Sequence, residues 1–240
     1  AAYEFRRFFD GFNQMVERLN DLIDRVYRQE IYAKKAKLKQ LQSQINPHFL
    51  YNSFFILNRM IKDKDYDSAC LFSSYLGEYF KYITRSSKDT VPLILEVEHA
   101  KRYSAIQEMR FLGRLSIEFA AFPDKFKDKE VPRMILQPII ENAVEYGIRN
   151  QERFDAQVFV KFISGDDDVL SIIVEDNNKN LTEEKLIELD EKLKIKTDAI
   201  EVTGIINVHR RLGIMFGNNS GIKVSRSEAG GLRAEMIICF

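Results

Sequence analysis

The sequence of 240 residues has no tryptophan, two cysteines, three histidines and five prolines, and its 36 basic residues cancel its 36 acidic ones. Each shortage excludes something. Cys70 and Cys239 are too few for a disulfide framework, and with only three histidines beside them structural zinc is excluded. The thiols read as small apolar fillers in a reducing, cytosolic setting. No apolar run approaches the roughly 18 residues that a membrane span needs. A net charge of zero gives no general pull on a phosphate backbone, so no nucleic-acid partner is expected and any anion must be held locally. Glycine and proline are sparse and no low-complexity tract occurs, which argues against disorder. The chain opens on Ala1-Ala2 and runs straight into a helical pattern, which suggests a segment cut from something longer.

What is present is a globular balance, 45% hydrophobic and 30% charged, enough for one or two domains. Phe8, Phe12, Met15, Leu19, Leu22 and Val26 alternate by four and three, the seam of a coiled coil or of a bundle helix. After Val26 the phase slips by one and continues through Tyr27, Ile31, Leu38, Leu41 and Ile45. Pro47 interrupts this pattern and predicts a bend near Ser43 to Gln44. Apolar residues continue from Phe49 through Phe54, Leu57, Met60 and Ile61. A polar turn at Lys62 to Asp65 and a second stripe of Ala69, Phe72, Leu76, Phe80 and Ile83 then predict a helical hairpin. Two helices cannot close a core alone, so a homodimer forming a four-helix bundle is expected.

The polar stretch Ser86 to Thr90 followed by Val91-Pro92 marks a boundary, and a third helix is expected over about Leu95 to Arg110. Strand patterns follow at Leu115 to Phe122, Gln157 to Ile163, Val169 to Glu175, Gly221 to Ser227 and Leu232 to Phe240. Helices are expected from Pro132 to about Asn150, from Thr182 (its N-cap) to Lys194, and from Gly204 to Phe216. The fold class is therefore α+β: a dimerising helical hairpin followed by an α/β sandwich on a mixed, largely antiparallel sheet. The expected division is 1–26 for the end of a coiled coil, 27–90 for the hairpin and 91–240 for the sandwich.

His48 follows Pro47, and Asn52 lies one turn later on the same helix face. A lone histidine is more often a half-buried structural group, but at a proline bend its ring is presented outward. A neutral imidazole near pH 7 is a competent nucleophile toward a phosphoryl group. The run Leu41 to Asn52, with its Asn46-Pro47-His48-Phe49-Leu50 core, resembles the phosphoacceptor box of bacterial two-component sensor histidine kinases of the LytS/YesM type. Phe5 to Leu22 is similar to the end of a HAMP signalling module, and Tyr103 to Phe111 to the segment before the kinase domain. Leu136 to Gly147 resembles the N box of that family's ATPase domain, of the GHKL (Bergerat) type, and the resemblance assigns Mg²⁺ to Asn142. Ile172 to Asn180 is similar to the G1 box, in which Asp176 receives the adenine amino group. The expected glycines are replaced there by Asn178 and Asn180, tolerable because Asn accepts a left-handed backbone. Val202 to Leu212 resembles the G2 box, with Thr203, Gly204 and Asn207 against the nucleotide and Val202 in place of a glycine. Leu181 to Thr203 would be the lid over ATP.

The resemblance implies a sensor histidine kinase that uses Mg·ATP to phosphorylate itself on His48 and passes the phosphoryl group to an aspartate of a response regulator. It also implies a membrane-anchored parent with this segment on the cytoplasmic side. Many histidine kinases place an acid directly after the histidine, where this chain has Phe49, so Glu141 or solvent is the expected proton acceptor and Asn52 the residue that positions the ring. Two alternatives stand beside it. A dimeric signalling scaffold that binds ATP weakly would follow from the lost glycines, and a chaperone-like ATPase of the same domain class would leave the Pro47-His48 helix without a use. His99 reads as structural, and His209, Arg210 and the lid charges as solvated surface. Asp166 to Asp168 reads as a hairpin tip.

Overall fold

The computed structural model describes Met15 and residues 47–84, 89–149, 155–166, 168–194 and 204–240. The expected coiled coil, its phase slip, the bend near Ser43, the second half of the lid and Thr203 lie outside the described residues, Met15 apart. The chain divides into two compact units, 1–52 and 53–240. Among the described residues no helix is long and apolar enough to cross a membrane.

Helix α1 (Pro47–Lys62) carries residues of both units. It stops where Lys64 adopts a left-handed φ of 62° and the Asp65 amide reaches back to the Met60 carbonyl, closing the helix end on its own backbone. Asp65 then caps helix α2 (Tyr66–Thr84), its carboxylate accepting the Ser68 N–H at 3.2 Å. The polar turn is therefore where the sequence puts it. The buried stripe of α2 is Ala69, Phe72, Leu76, Tyr79 and Ile83, one residue off the expected pattern, because Tyr79 takes the inward place assigned to Phe80. On α1, Ser53 and Met60 are buried while Phe54, Phe55 and Ile61 are exposed.

Strand β1 (Thr90–Pro92) pairs antiparallel with β3 (Glu130–Pro132), a small ribbon the sequence analysis did not anticipate. Helix α3 (Leu93–Phe111) runs to a left-handed Leu112 and Gly113, and strand β2 (Leu115–Phe119) follows. Helix α4 spans Gln137–Arg149, not Pro132 to Asn150 as expected. Pro132 ends β3, and residues 133–136 bend before the helix begins. Strands β4 (Ala156–Ser164) and β5 (Val169–Asp176) form a hairpin whose tip includes Asp166 and Asp168. Helices α5 (Glu183–Lys194) and α6 (Gly204–Phe216) precede the last hairpin, β6 (Gly221–Arg226) and β7 (Leu232–Cys239).

The main sheet has the order β2-β4-β5-β7-β6, parallel only between β2 and β4. This is the mixed, largely antiparallel sheet expected, in an α+β fold. Along β7 burial alternates strictly, Leu232, Ala234, Met236 and Ile238 in and their neighbours half out, so this strand has one covered face, whereas the central β5 is buried on both. Helices α3, α4 and α6 pack against it. Leu170, Ile172 and Ile173 on the central β5 are wholly buried, and each stabilises the fold by about 1.5–3 kcal/mol.

Gly204 begins α6 where a Cβ would meet the Cβ of Pro138 at 3.0 Å, so the two helices meet at a residue without a side chain. His209 is not the solvated surface charge expected. Its Nδ1 accepts the Ile222 N–H at 2.9 Å, joining α6 to β6, and burial holds its pKa below the ordinary histidine value.

Candidate functional site

His48 and Asn52 lie together in the first unit, on α1. The imidazole is exposed, and the Asn52 Nδ2 stands 3.3 Å from its Nδ1 and 3.2 Å from its Nε2. The four-residue spacing on one helix face produces this pairing. The amide N–H donates to whichever ring nitrogen carries the lone pair, and so orients the ring.

In the second unit, the ends of two inner strands and two helices line a cavity of about 110 Å³ that opens to solvent. Asp176, at the end of β5, and Leu232, at the start of β7, lie on its sheet side. Asn142 and Tyr146, one turn apart on α4, line it as well, and α5 contributes Lys185, Glu188, Leu189 and Lys192. Those α5 residues fall at i, i+3, i+4 and i+7, a single helical stripe. Sequence reasoning left this stripe on the solvated face although its spacing was legible. Lys185 Nζ sits 4.1 Å from the centroid of the Tyr146 ring, a cation against the negative face of an aromatic. The Lys185 N–H is 3.4 Å from Thr182 Oγ1, so Thr182 caps α5 as expected.

Asp176 is 1% exposed. Its Oδ1 accepts the Asn178 N–H at 2.9 Å, while Oδ2 is buried with no hydrogen-bond partner among the described residues. Burial pushes its pKa up to about 6, against the backbone amides of Asn178 and Leu232, which favour the carboxylate. A buried acceptor left without a donor at the wall of a cavity fits a ligand that brings an N–H, as the exocyclic amine of adenine does. The sequence analysis missed what lets the strands approach so closely. A Cβ on Gly231 would lie 2.0 Å from Asp176 Oδ1 and 2.3 Å from the Asp176 carbonyl oxygen, so only glycine fits.

The substituted Asn178 does not plug the cavity. Its Nδ2 donates to the Tyr146 carbonyl at 2.8 Å and its Oδ1 accepts the Asn180 N–H at 3.1 Å, tying β5 to α4. Neither Asn178 nor Asn180 uses the left-handed backbone expected of it; the side-chain hydrogen bonds shape the turn instead.

Asn142, Asp176 and Asn178 therefore line one cavity. Gly204 and Asn207 are exposed on α6 and are not among the lining residues. Nor is Glu141, whose charge bears on Tyr79 and Tyr103. Its own pKa is raised, first by burial and then by Glu145. Among the described residues no cluster of three His, Cys, Asp or Glu could hold a metal ion. The Asn142 amide oxygen is a hard ligand of the kind Mg²⁺ accepts, and Mg²⁺ ordinarily takes few protein ligands beside phosphate oxygens and water.

Residues 36–115 match the histidine kinase family model. The chain is 28% identical over 228 residues to the sensor histidine kinase YesM of Bacillus subtilis, covering 95% of this chain and 37% of that protein. It is 29% identical over 202 residues to the sensor protein LytS of Oceanobacillus iheyensis, covering 83% and 34%. It is 32% identical over 120 residues to the sensor histidine kinase BtsS of Escherichia coli, covering 50% and 21%. The chain thus spans little more than a third of the length of these relatives at most. With these matches across the His48 helix and the cavity-bearing unit alike, the chain is similar to sensor histidine kinases of the LytS/YesM type.

Proposed function

We propose that this chain autophosphorylates on His48 with Mg·ATP and passes the phosphoryl group to a response-regulator aspartate, working as a homodimer on the cytoplasmic side of a membrane-anchored parent. The observation that carries the reading is the unpartnered Asp176 Oδ2 at the wall of an open cavity that Asn142 also lines. Asp176 accepts the adenine amine, Tyr146 and Leu232 offer apolar surface to the base, and Lys185 and Lys192 supply positive charge near Asn142. Asn142 would hold Mg²⁺, which would supply neutralisation of the charge on the phosphates.

A ring nitrogen of His48 attacks the γ-phosphorus, the bond from that phosphorus to the β–γ bridging oxygen breaks, and ADP leaves. The attacking nitrogen is the one that carries the lone pair, and the proton on the other ring nitrogen passes to solvent. Asn52 orients the imidazole through the contacts described. Glu141, placed toward Tyr79 and Tyr103, has less to recommend it as the proton acceptor. The exposed Phe54, Phe55 and Ile61 of α1 supply apolar surface for the second copy of a four-helix bundle.

Incubation with γ-labelled ATP should label the wild-type chain and leave His48→Ala unlabelled, with Asp176→Asn strongly reduced. Label retained on His48→Ala would overturn the assignment. The scaffold reading predicts no heat of binding at millimolar Mg·ATP by calorimetry. The folded-back Asn178 side chain, which leaves the cavity open, favours the kinase.

A further inference from the structure

Glu96 sits within α3, fully buried, where a carboxylate needs donors on every side. Its Oε1 accepts the Met134 N–H at 2.7 Å and its Oε2 the Ile135 N–H at 3.0 Å, and the Leu136 amide bears on it as well. Those three residues lead directly into α4, and Met134 is held at a left-handed φ of 57° that a side-chain-bearing residue rarely adopts. The carboxyl group of Glu96 thus closes the amino end of the helix that carries Asn142 by accepting its leading amides.

The last donor comes from α2. Tyr82 gives its hydroxyl hydrogen to Glu96 Oε1, and Arg133 both donates to the Tyr82 carbonyl and covers the Tyr82 ring at 4.8 Å. A second connection runs beside the first. Gln137, the first residue of α4, donates from Nε2 to the Tyr79 hydroxyl at 3.0 Å, and its Oε1 accepts from His99 Nε2 at 2.8 Å. The His99 ring stacks on both Tyr79 and Tyr82, with centroids at 5.1 and 4.1 Å. Two tyrosines three residues apart on α2 therefore grip the residues from which α4 springs, and Asn142 follows Gln137 by little more than one turn.

Resting on the nucleotide reading of the cavity, we propose that Glu96 and Tyr82 are positioning residues for it. Glu96 fixes the first turn of α4 and with it the place of Asn142, and Tyr82 makes that place depend on α2, the helix joined to the phosphoacceptor helix by a single turn. A shift of α2 that withdraws the Tyr82 hydroxyl leaves a buried carboxylate short of a donor, and α4 must move or loosen in response. The Arg102–Glu78 ion pair joins α3 and α2 at the surface without touching Glu96, and supplies the control.

The test compares the wild-type chain with Tyr82→Phe, Glu96→Gln and Arg102→Gln by amide hydrogen exchange over 134–146 and by calorimetric affinity for Mg·ATP. Tyr82→Phe should speed exchange in that segment and weaken binding by about fivefold to tenfold, with exchange in β4 and β5 unchanged. Glu96→Gln should do more, and Arg102→Gln neither. If Tyr82→Phe matches Arg102→Gln in both readouts, or loosens the whole unit evenly, the positioning role is overturned. Should Glu96→Gln fail to fold, Tyr82→Phe decides alone. A wild-type chain that binds no Mg·ATP sinks the nucleotide reading and leaves the coupling from α2 to α4 to the exchange measurement.

Discussion

Two buried carboxylates, Glu96 and Asp176, occupy the same unit with almost no exposed surface, and burial raises the pKa of both. They differ in what surrounds them. Glu96 is met by backbone amides and a phenol hydroxyl, while Asp176 has one oxygen held by Asn178 and the other with no partner among the described residues. Desolvating a carboxylate is tolerated when donors replace the lost water. A complete donor set fits a group that holds the fold, and a deficit at a cavity wall fits the ligand-binding role proposed for Asp176. Raised pKa values alone would not separate them, since both share that sign.

Substitutions should treat the two sites differently, and the largest effect should come from the backbone beside Asp176. Gly231→Ala would set a methyl group 2.0 Å from Asp176 Oδ1 and 2.7 Å from the Asn178 nitrogen. A rigid strand cannot yield as a flexible side chain does, so a loss of about 3 kcal/mol in thermal or denaturant unfolding is expected. Unchanged stability would show that β7 can withdraw from β5. Next comes Glu96→Gln, which replaces one acceptor oxygen by a donor facing backbone N–H groups. A loss of about 2 kcal/mol is expected, measured by urea denaturation. If the variant were as stable as wild type, the donor set around Glu96 would not be what distinguishes it.

Much of the second unit was legible because its signals are local. Alternation along β7 and the hairpin at Asp166 and Asp168 fix strands within a few residues, and Thr182 marks the start of α5 without outside help. What could not be read depends on distant partners. The three-residue strands at Thr90–Pro92 and Glu130–Pro132 each end on proline and exist because they pair with each other. The start of α4 moved from Pro132 to Gln137 because Glu96, some 40 positions earlier, takes the intervening amides, and nothing in Leu95-Glu96-Val97-Glu98 distinguishes the buried acid from the one beside it. The same limit applied at the cavity. Asp176 and Asn142 stood out in their motifs, whereas Gly231 and Lys185 matter only through what folding brings against them. His48 and Asn52, four apart on one helix, needed no tertiary information.

The function of Asp176 gives the gentler tests. Asp176→Asn keeps the shape, removes a buried carboxylate whose Oδ2 has no hydrogen-bond partner among the described residues, and should leave the melting temperature equal or slightly higher while nucleotide affinity falls by about tenfold to a hundredfold. The opposite pattern, a lower melting temperature with binding intact, would class Asp176 with Glu96. The smallest expected effect is in pH. A carboxyl whose folded-state pKa is raised from 3.8 to about 6 favours the protonated form in the fold. Its contribution to stability is thus fully present below about pH 4 and lost as pH rises through about 6. Ligand binding runs the other way, because an amine donor is best met by the charged oxygen. Nucleotide affinity of the wild-type chain should therefore decline by a few-fold as pH falls from about 7 to about 5, and the decline should vanish in Asp176→Asn. A flat profile in both proteins would mean that the unpartnered oxygen is not where the base is read.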